Sequence, residues 1–188
     1  MALTKKQLEI VGKSILEWEA RRDSKGRLVV YKLPPEDGGG TFEVAGINDR
    51  YHKAKAVELR DLIMAGKYAE AEIVARNYMI SMTNVAAGWT SKAAIEAFLR
   101  DTCFNRGATG AAKIYQIALG VAVDGNVGKG TLKAANAQIN DTEGLLLRLR
   151  VARENYERKH VGRDETSKFW KGLVNRWNKA LTLSQSFL

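Results

Sequence analysis

From Asn48 to the C-terminus the sequence keeps a helical rhythm, which confines the chain to a mainly α fold with β-structure in one place only. Asn48 or Asp49 can cap a helix that runs to about Ala65 and stops at Gly66. A second helix spans Tyr68 to about Met82, with Ile73, Tyr78 and Met79 as its apolar stripe. A third begins after Thr90 or Ser91 and passes Ile95, Phe98, Leu99 and Phe104 on its way to Gly107. A capped helix from Thr109 to Leu119 follows, ended by Gly120, and a turn-rich link with Asp124-Gly125 as its tight turn leads into another helix. Two long amphipathic helices close the chain. One runs from about Asp141 to His160 and is rich in arginine (Arg148, Arg150, Arg153, Arg158); the other starts near Thr166 and carries Trp170, Val174, Trp177 and Leu181 on one face.

Upstream, Thr4 to about Arg22 reads as a helix, with Thr4 as cap, Gln7 as capping-box partner, and Leu8, Val11, Ile15 and Trp18 on one face. Glu19 lies at its C-terminal end, where the helix dipole disfavours negative charge and raises a carboxylate's pKa. That placement suits a general acid. Glu17 is its competitor, with a surface pair to Arg21 as the plain explanation. Arg27 to Leu33 is β-branched and aromatic and predicts a strand, paired as a hairpin with Phe42 to Ala45. Between them lies Pro34-Pro35-Glu36-Asp37-Gly38-Gly39-Gly40-Thr41, where three glycines preclude a regular element and two carboxylates precede them.

The 188 residues make one domain or two closely packed lobes. A composition of 45% hydrophobic and 27% charged residues places the chain with soluble globular proteins. The longest apolar run, Ile117 to Val123, is far too short to span a bilayer. The N-terminal Met-Ala-Leu-Thr-Lys-Lys-Gln lacks the apolar core of a signal peptide, so folding in the cytoplasm is the expectation. Cys103 is the only cysteine, which excludes an intrachain disulfide, and with His52 and His160 far apart it argues against a zinc site. The net charge of +9 is uneven: residues 1–96 carry 15 Lys+Arg against 13 Asp+Glu, and 97–188 carry 15 against 8. A basic second half fits a polyanionic partner (nucleic acid, anionic lipid or an acidic cell-wall polymer) and equally a plain solvated surface.

Several chemistries lack their residues. There is no Gly-x-Ser-x-Gly elbow. Gly12-Lys13-Ser14 resembles the tail of a P-loop, but Gln7 stands where its first glycine belongs and the stretch falls inside a helix. What remains is a carboxylate set, Glu19, Glu36, Asp37 and Glu43, with Thr41 among them. A glycosidase needs one protonated carboxyl for the leaving oxygen and a second group that orients water or stabilises positive charge at the sugar carbon. A carboxylate on a Gly-flanked loop near a hydroxyl suits a positioned water, which predicts inversion and carboxyl groups roughly 6.5–9.5 Å apart.

A helix-borne Glu19, then Glu36-Asp37-Gly38-Gly39-Gly40-Thr41 and Gly46-Ile47, resembles the catalytic half of glycoside hydrolase family 108, the bacterial and phage muramidases that include many endolysins. Asp101 to Gly107 and Gln116 to Leu132 resemble the predicted peptidoglycan-binding region that follows it in that family. The chain departs from the pattern at Ala20-Arg21, where the family has Gly-Gly, and at Glu36, where aspartate is usual; this leaves the second carboxylate open among Glu36, Asp37 and Glu43. The resemblance implies a mainly α, lysozyme-like α+β fold with one small hairpin beside the active-site cleft. It implies a catalytic lobe at 1–96 and a helical peptidoglycan-binding lobe at 97–188, packed closely on the first. It also implies cofactor-free, metal-free hydrolysis of the β-1,4 bond between N-acetylmuramic acid and N-acetylglucosamine. Glu19 would be the acid, with Asp37, Glu36 and Thr41 as the remaining site residues. The partner would be bacterial peptidoglycan, with electrostatic contact to anionic lipids, and the protein a monomer released from the host cytoplasm to act on the wall. Two alternatives stand beside it: a lytic transglycosylase on the same bond, which needs only the acid, and a basic nucleic-acid-binding module using the arginines of 141–160.

Overall fold

The computed structural model describes residues 2–35 and 40–188. Among them the chain forms seven α-helices, α1 (Lys5–Glu19), α2 (Lys53–Met64), α3 (Tyr68–Met82), α4 (Ala93–Leu119), α5 (Lys129–Ala137), α6 (Thr142–Tyr156) and α7 (Trp170–Gln185), with short strands β1 (Tyr31–Lys32), β2 (Phe42–Val44) and β3 (Ile47–Asn48) between α1 and α2. This is the mainly helical, lysozyme-like α+β architecture expected, with a small sheet in the one place the sequence allows.

The chain divides into two compact units, one of residues 12–81 and one of residues 1–11 with 82–188. The expected boundary at 96/97 falls instead inside α4. Glu96 belongs to the core of the second unit, where its carboxylate accepts the backbone amides of Ala2 (2.5 Å) and Leu3 (3.0 Å) and pairs with Arg100 (2.9 Å). This buried carboxylate ties the N-terminal segment to α4 within one unit.

In the 12–81 unit, the sheet is antiparallel in the order β1-β2-β3, so the expected hairpin gains a third strand. Tyr31 opposes Glu43 and Val44 opposes Ile47. A two-residue turn, Ala45-Gly46, joins β2 to β3 with both φ angles positive (51° and 75°), the geometry that matches strand twist. Only Tyr31–Lys32 of the expected 27–33 strand pairs with β2. The earlier part folds back instead: Leu28 bridges to Arg22, and Asp23 closes the turn by accepting from the backbone amides of Lys25 and Arg27 (both 2.9 Å). On α3 the buried stripe is Ala71, Ala75 and Met79, spaced four apart; Ile73, expected in the core, is 50% exposed.

In the other unit, α4, α6 and α7 pack together around Phe98, Leu99, Ile114, Tyr115, Leu146, Leu149 and Trp177. The two helices expected on either side of Gly107 form one element bent there, with Gly107 at φ 68° and ψ 169°, a conformation essentially reserved for glycine. Beyond Tyr156 the backbone widens into a single π-turn, Glu157–Val161, and stops at Gly162. α7 starts at Trp170 rather than near Thr166, because Asp164 holds Thr166 in a local turn through its amide (3.0 Å) and hydroxyl (2.6 Å).

Candidate active site

Glu19 is the last residue of α1 and is half-buried. The capping box at the other end forms as expected: Gln7 accepts from the Thr4 amide (2.9 Å), and Thr4 accepts from the Gln7 amide (3.3 Å). Glu17 does not pair with Arg21. It pairs with Arg22, whose guanidinium also donates to Glu72 (2.5 Å). The i,i+4 geometry that would join Glu17 to Arg21 ends with the helix at Glu19. Arg21 turns toward the sheet, its guanidinium 3.7 Å from the Tyr31 ring centre and 3.8 Å from the Glu43 carboxylate. Glu43, one candidate for the second carboxylate, therefore stands opposite Tyr31 with a cation close by.

Thr41 opens the path into β2, and its position is set by Asp49. The Asp49 carboxylate accepts from the Thr41 amide (2.7 Å), the Thr41 hydroxyl and the Phe42 amide (3.2 Å). Chiefly the Thr41 hydroxyl bond, and then these amides, holds the Asp49 carboxyl below its ordinary range, so it stays ionised. The fit leaves no room at Gly40, where φ is +108° and a Cβ would stand 2.1 Å from Asp49 Oδ1. Asp49 is thus a clasp on the 40–42 segment and not the helix cap the sequence suggested; α2 begins only at Lys53. The signal for this role was Ala45-Gly46. A two-residue hairpin turn there brings residue 49 back alongside residue 42, and the Asp49 amide donates to the Phe42 carbonyl (3.1 Å). Glu36 and Asp37, with Gly38 and Gly39, lie outside the described residues. Glu19, Thr41, Glu43 and Asp49 all belong to the 12–81 unit.

Other chemistries find little support. Cys103 is buried, and burial pushes its thiol up to about 12, which leaves it protonated and unreactive. Burial also lowers the His52 pKa, and its Nδ1 lies 3.1 Å from the Tyr78 hydroxyl. Among the described residues no group of three or more His, Cys, Asp or Glu side chains could hold a metal ion, and no helix is long and apolar enough to cross a membrane.

The two motifs in the second half turn out to be internal fasteners. Asp101 of α4 accepts from Arg153 of α6 (2.6 Å) and from Arg176 of α7 (2.8 and 3.1 Å), joining three helices. Burial alone would raise the Asp101 carboxyl, but the guanidiniums of Arg176 and Arg153 outweigh it and hold the group below its ordinary range. Arg106 pairs with the buried Glu157 in the π-turn, and Gly107 makes the bend. Further on, the Gln116 side chain, 1% exposed, donates to Asp124 Oδ1 (2.6 Å), the Asn126 carbonyl (3.0 Å) and Thr131 Oγ1 (3.2 Å), and accepts from the Gly125 amide (2.9 Å). One buried amide thereby fixes the link between α4 and α5.

Residues 110–178, which contain this link, match the family described as Predicted Peptidoglycan domain. The whole chain is similar in fold to the solved structure of Brucella abortus SagA: the two are 20% identical, the match covers 98% of this chain and 97% of that one, and the TM-score is 0.67. At that identity the likeness speaks for the fold. No curated protein matches the chain.

Proposed function

We propose that this protein is a peptidoglycan-directed muramidase of the endolysin type, hydrolysing the β-1,4 bond between N-acetylmuramic acid and N-acetylglucosamine. The observation that carries the peptidoglycan part is the match of residues 110–178 to the Predicted Peptidoglycan domain. Cleavage is supported by the placing of Glu19 and Thr41 in one unit of a lysozyme-like fold, the first at a helix end and the second clasped by an ionised carboxylate.

In this reading Glu19 gives its proton to the glycosidic oxygen. Thr41 and a carboxylate, Asp37 or Glu36, hold the water that attacks the opposite face of the sugar, with inversion. Asp49 takes the Thr41 hydroxyl proton into a hydrogen bond, which leaves the oxygen's lone pairs to accept from that water. The arginines of 141–160 that suggested the nucleic-acid reading each have a partner within the chain: Arg148 with Asp141, Arg150 with Glu154, Arg153 with Asp101, and Arg158 with Glu154 and Glu165.

The test is mass spectrometry of muropeptides after digestion of purified murein by the wild-type chain and by Glu19→Gln. The expected products carry a reducing muramic acid end, and the folded Glu19→Gln chain loses about 10²–10⁴-fold in rate, the usual worth of general acid catalysis. A 1,6-anhydro ring would make the protein a lytic transglycosylase instead. Near-normal turnover by Glu19→Gln would remove Glu19 from the mechanism.

A further inference from the structure

Tyr31, Glu43 and Asn48 form a row across all three strands of the small sheet, each opposite the next, on the face turned away from the buried Val44 and Ile47. Arg21 lies over one end of this row, two residues past Glu19 and in the same unit. Its carbonyl accepts from the Val29 amide (3.2 Å), which ties its backbone to the turn that follows α1. Its guanidinium sits 3.7 Å from the Tyr31 ring centre, where cation–π attraction holds the side chain in one place. The nearest approach of the Glu43 carboxylate is 3.8 Å, on the Nε side, too far for a hydrogen bond. Among the described residues no group accepts a hydrogen bond from this guanidinium, and the side chain is 57% exposed. Arg22, the next residue, is used differently: it donates to the Gly26 carbonyl (2.8 Å) and to the carboxylates of Glu17 and Glu72. One arginine of the pair closes the turn after α1. The other is fixed on an aromatic ring with its terminal nitrogens left over.

We infer that Arg21 determines specificity by pairing, through Nη1 and Nη2, with a carboxylate that muramic acid carries beside the bond to be cut. The inference rests on the muramidase reading and names the group by which the site tells murein from a neutral glycan of the same linkage. A planar guanidinium with parallel N–H donors matches a carboxylate in a bidentate pair. Stacking on Tyr31 has already removed much of the freedom that a long side chain loses on binding. Glu43 stands nearest Nε, so an incoming carboxylate meets the terminal nitrogens. A β-1,4 glycan of N-acetylglucosamine alone carries no charge. Muramic acid adds a lactyl carboxylate, either free or extended by a stem peptide whose residues bring carboxylates of their own.

The experiment uses the full-length chain and two soluble substrates: uncross-linked murein strands with their stem peptides, and the same strands after an amidase has removed the stems. Each is tested in native form and with its carboxyl groups amidated by carbodiimide and ammonia, and kcat and KM are measured on all of them. The wild type should favour the native form over the amidated one about tenfold or more in kcat/KM, mainly through KM. Arg21→Gln should lose that preference and Arg21→Lys keep part of it. Tyr31→Phe, which retains the ring, should preserve it, and Tyr31→Ala should weaken it. A preference on stem-free strands alone assigns the lactyl carboxylate, one on stem-bearing strands alone assigns a stem carboxylate, and one on both means that the guanidinium takes either. No preference in the wild type would overturn the inference. So would an undiminished preference in Arg21→Gln, whatever its overall rate. If the wild type cleaves none of these substrates yet sediments with sacculi, the muramidase reading falls and the Arg21 assignment with it.

Discussion

Single side chains carry the strongest constraints in this protein, and Asp101 is the strongest of them. It is fully buried and pairs with two arginines from different helices. Asp101→Asn leaves Arg153 and Arg176 buried without their counter-charge, which should destabilise the chain by about 3–5 kcal/mol, measured by urea denaturation at neutral pH. Because the folded-state pKa of Asp101 is depressed, its stabilisation is fully present above the unfolded value of 3.8 and is lost as pH falls through the lower folded value. The gap between wild type and Asp101→Asn should therefore narrow in acid below about pH 4. Asp49 makes a functional counterpart. If it acts by holding Thr41, Asp49→Asn should lower kcat about tenfold, the scale of one lost positioning hydrogen bond, with KM unchanged. In the Thr41→Val background the same substitution should have little further effect on kcat, and an additive loss would mean that Asp49 acts otherwise.

At the level of elements, the bend in α4 decides how one long helix serves two packing directions. Residues 94–103 and 110–119 are both largely buried, and a straight helix would carry its apolar face steadily round rather than re-aim it after Gly107. Gly107→Ala forces either strain or straightening, at a cost of about 1–3 kcal/mol, visible as a lowered denaturation midpoint with an unchanged m-value. The fastening of the α4–α5 link by Gln116 works the same way: four hydrogen bonds from one side chain replace regular structure. The β2–β3 turn has a comparable role in the first unit, since its register is what brings Asp49 to Thr41.

At the scale of the whole molecule, charge follows the compact units more sharply than the sequence halves suggested. The unit of residues 1–11 and 82–188 holds 18 Lys+Arg against 10 Asp+Glu, and the 12–81 unit holds 12 against 11. Binding to anionic sacculi should weaken as salt is raised, because the screening length is only about 8 Å at physiological ionic strength. Reversing the exposed Lys129, Lys133 and Lys171 to glutamate should weaken it strongly, and reversing the exposed Lys13, Lys25 and Lys53 should do little. Sedimentation with sacculi over a salt series measures both, and equal losses from the two triple variants would count against a basic binding unit.

What the sequence by itself determined was local. The capping box and buried face of α1, the limits of α3, the Asp124-Gly125 turn and the placing of Glu19 at a helix end all follow from neighbours within about four residues, where periodicity and capping act. Tertiary structure decided the partners. Glu17 met Arg22 because the helix stopped, Asp49 became a clasp because a hairpin turn returned it to Thr41, and Asp101 found arginines 52 and 75 residues away. The placing of Glu96 in the core of one unit likewise moved the division of the chain to 11/12 and 81/82. A charged side chain reads alike in sequence whether it faces water or a buried partner, and only the fold supplies the low-dielectric surroundings that make the pairing obligatory.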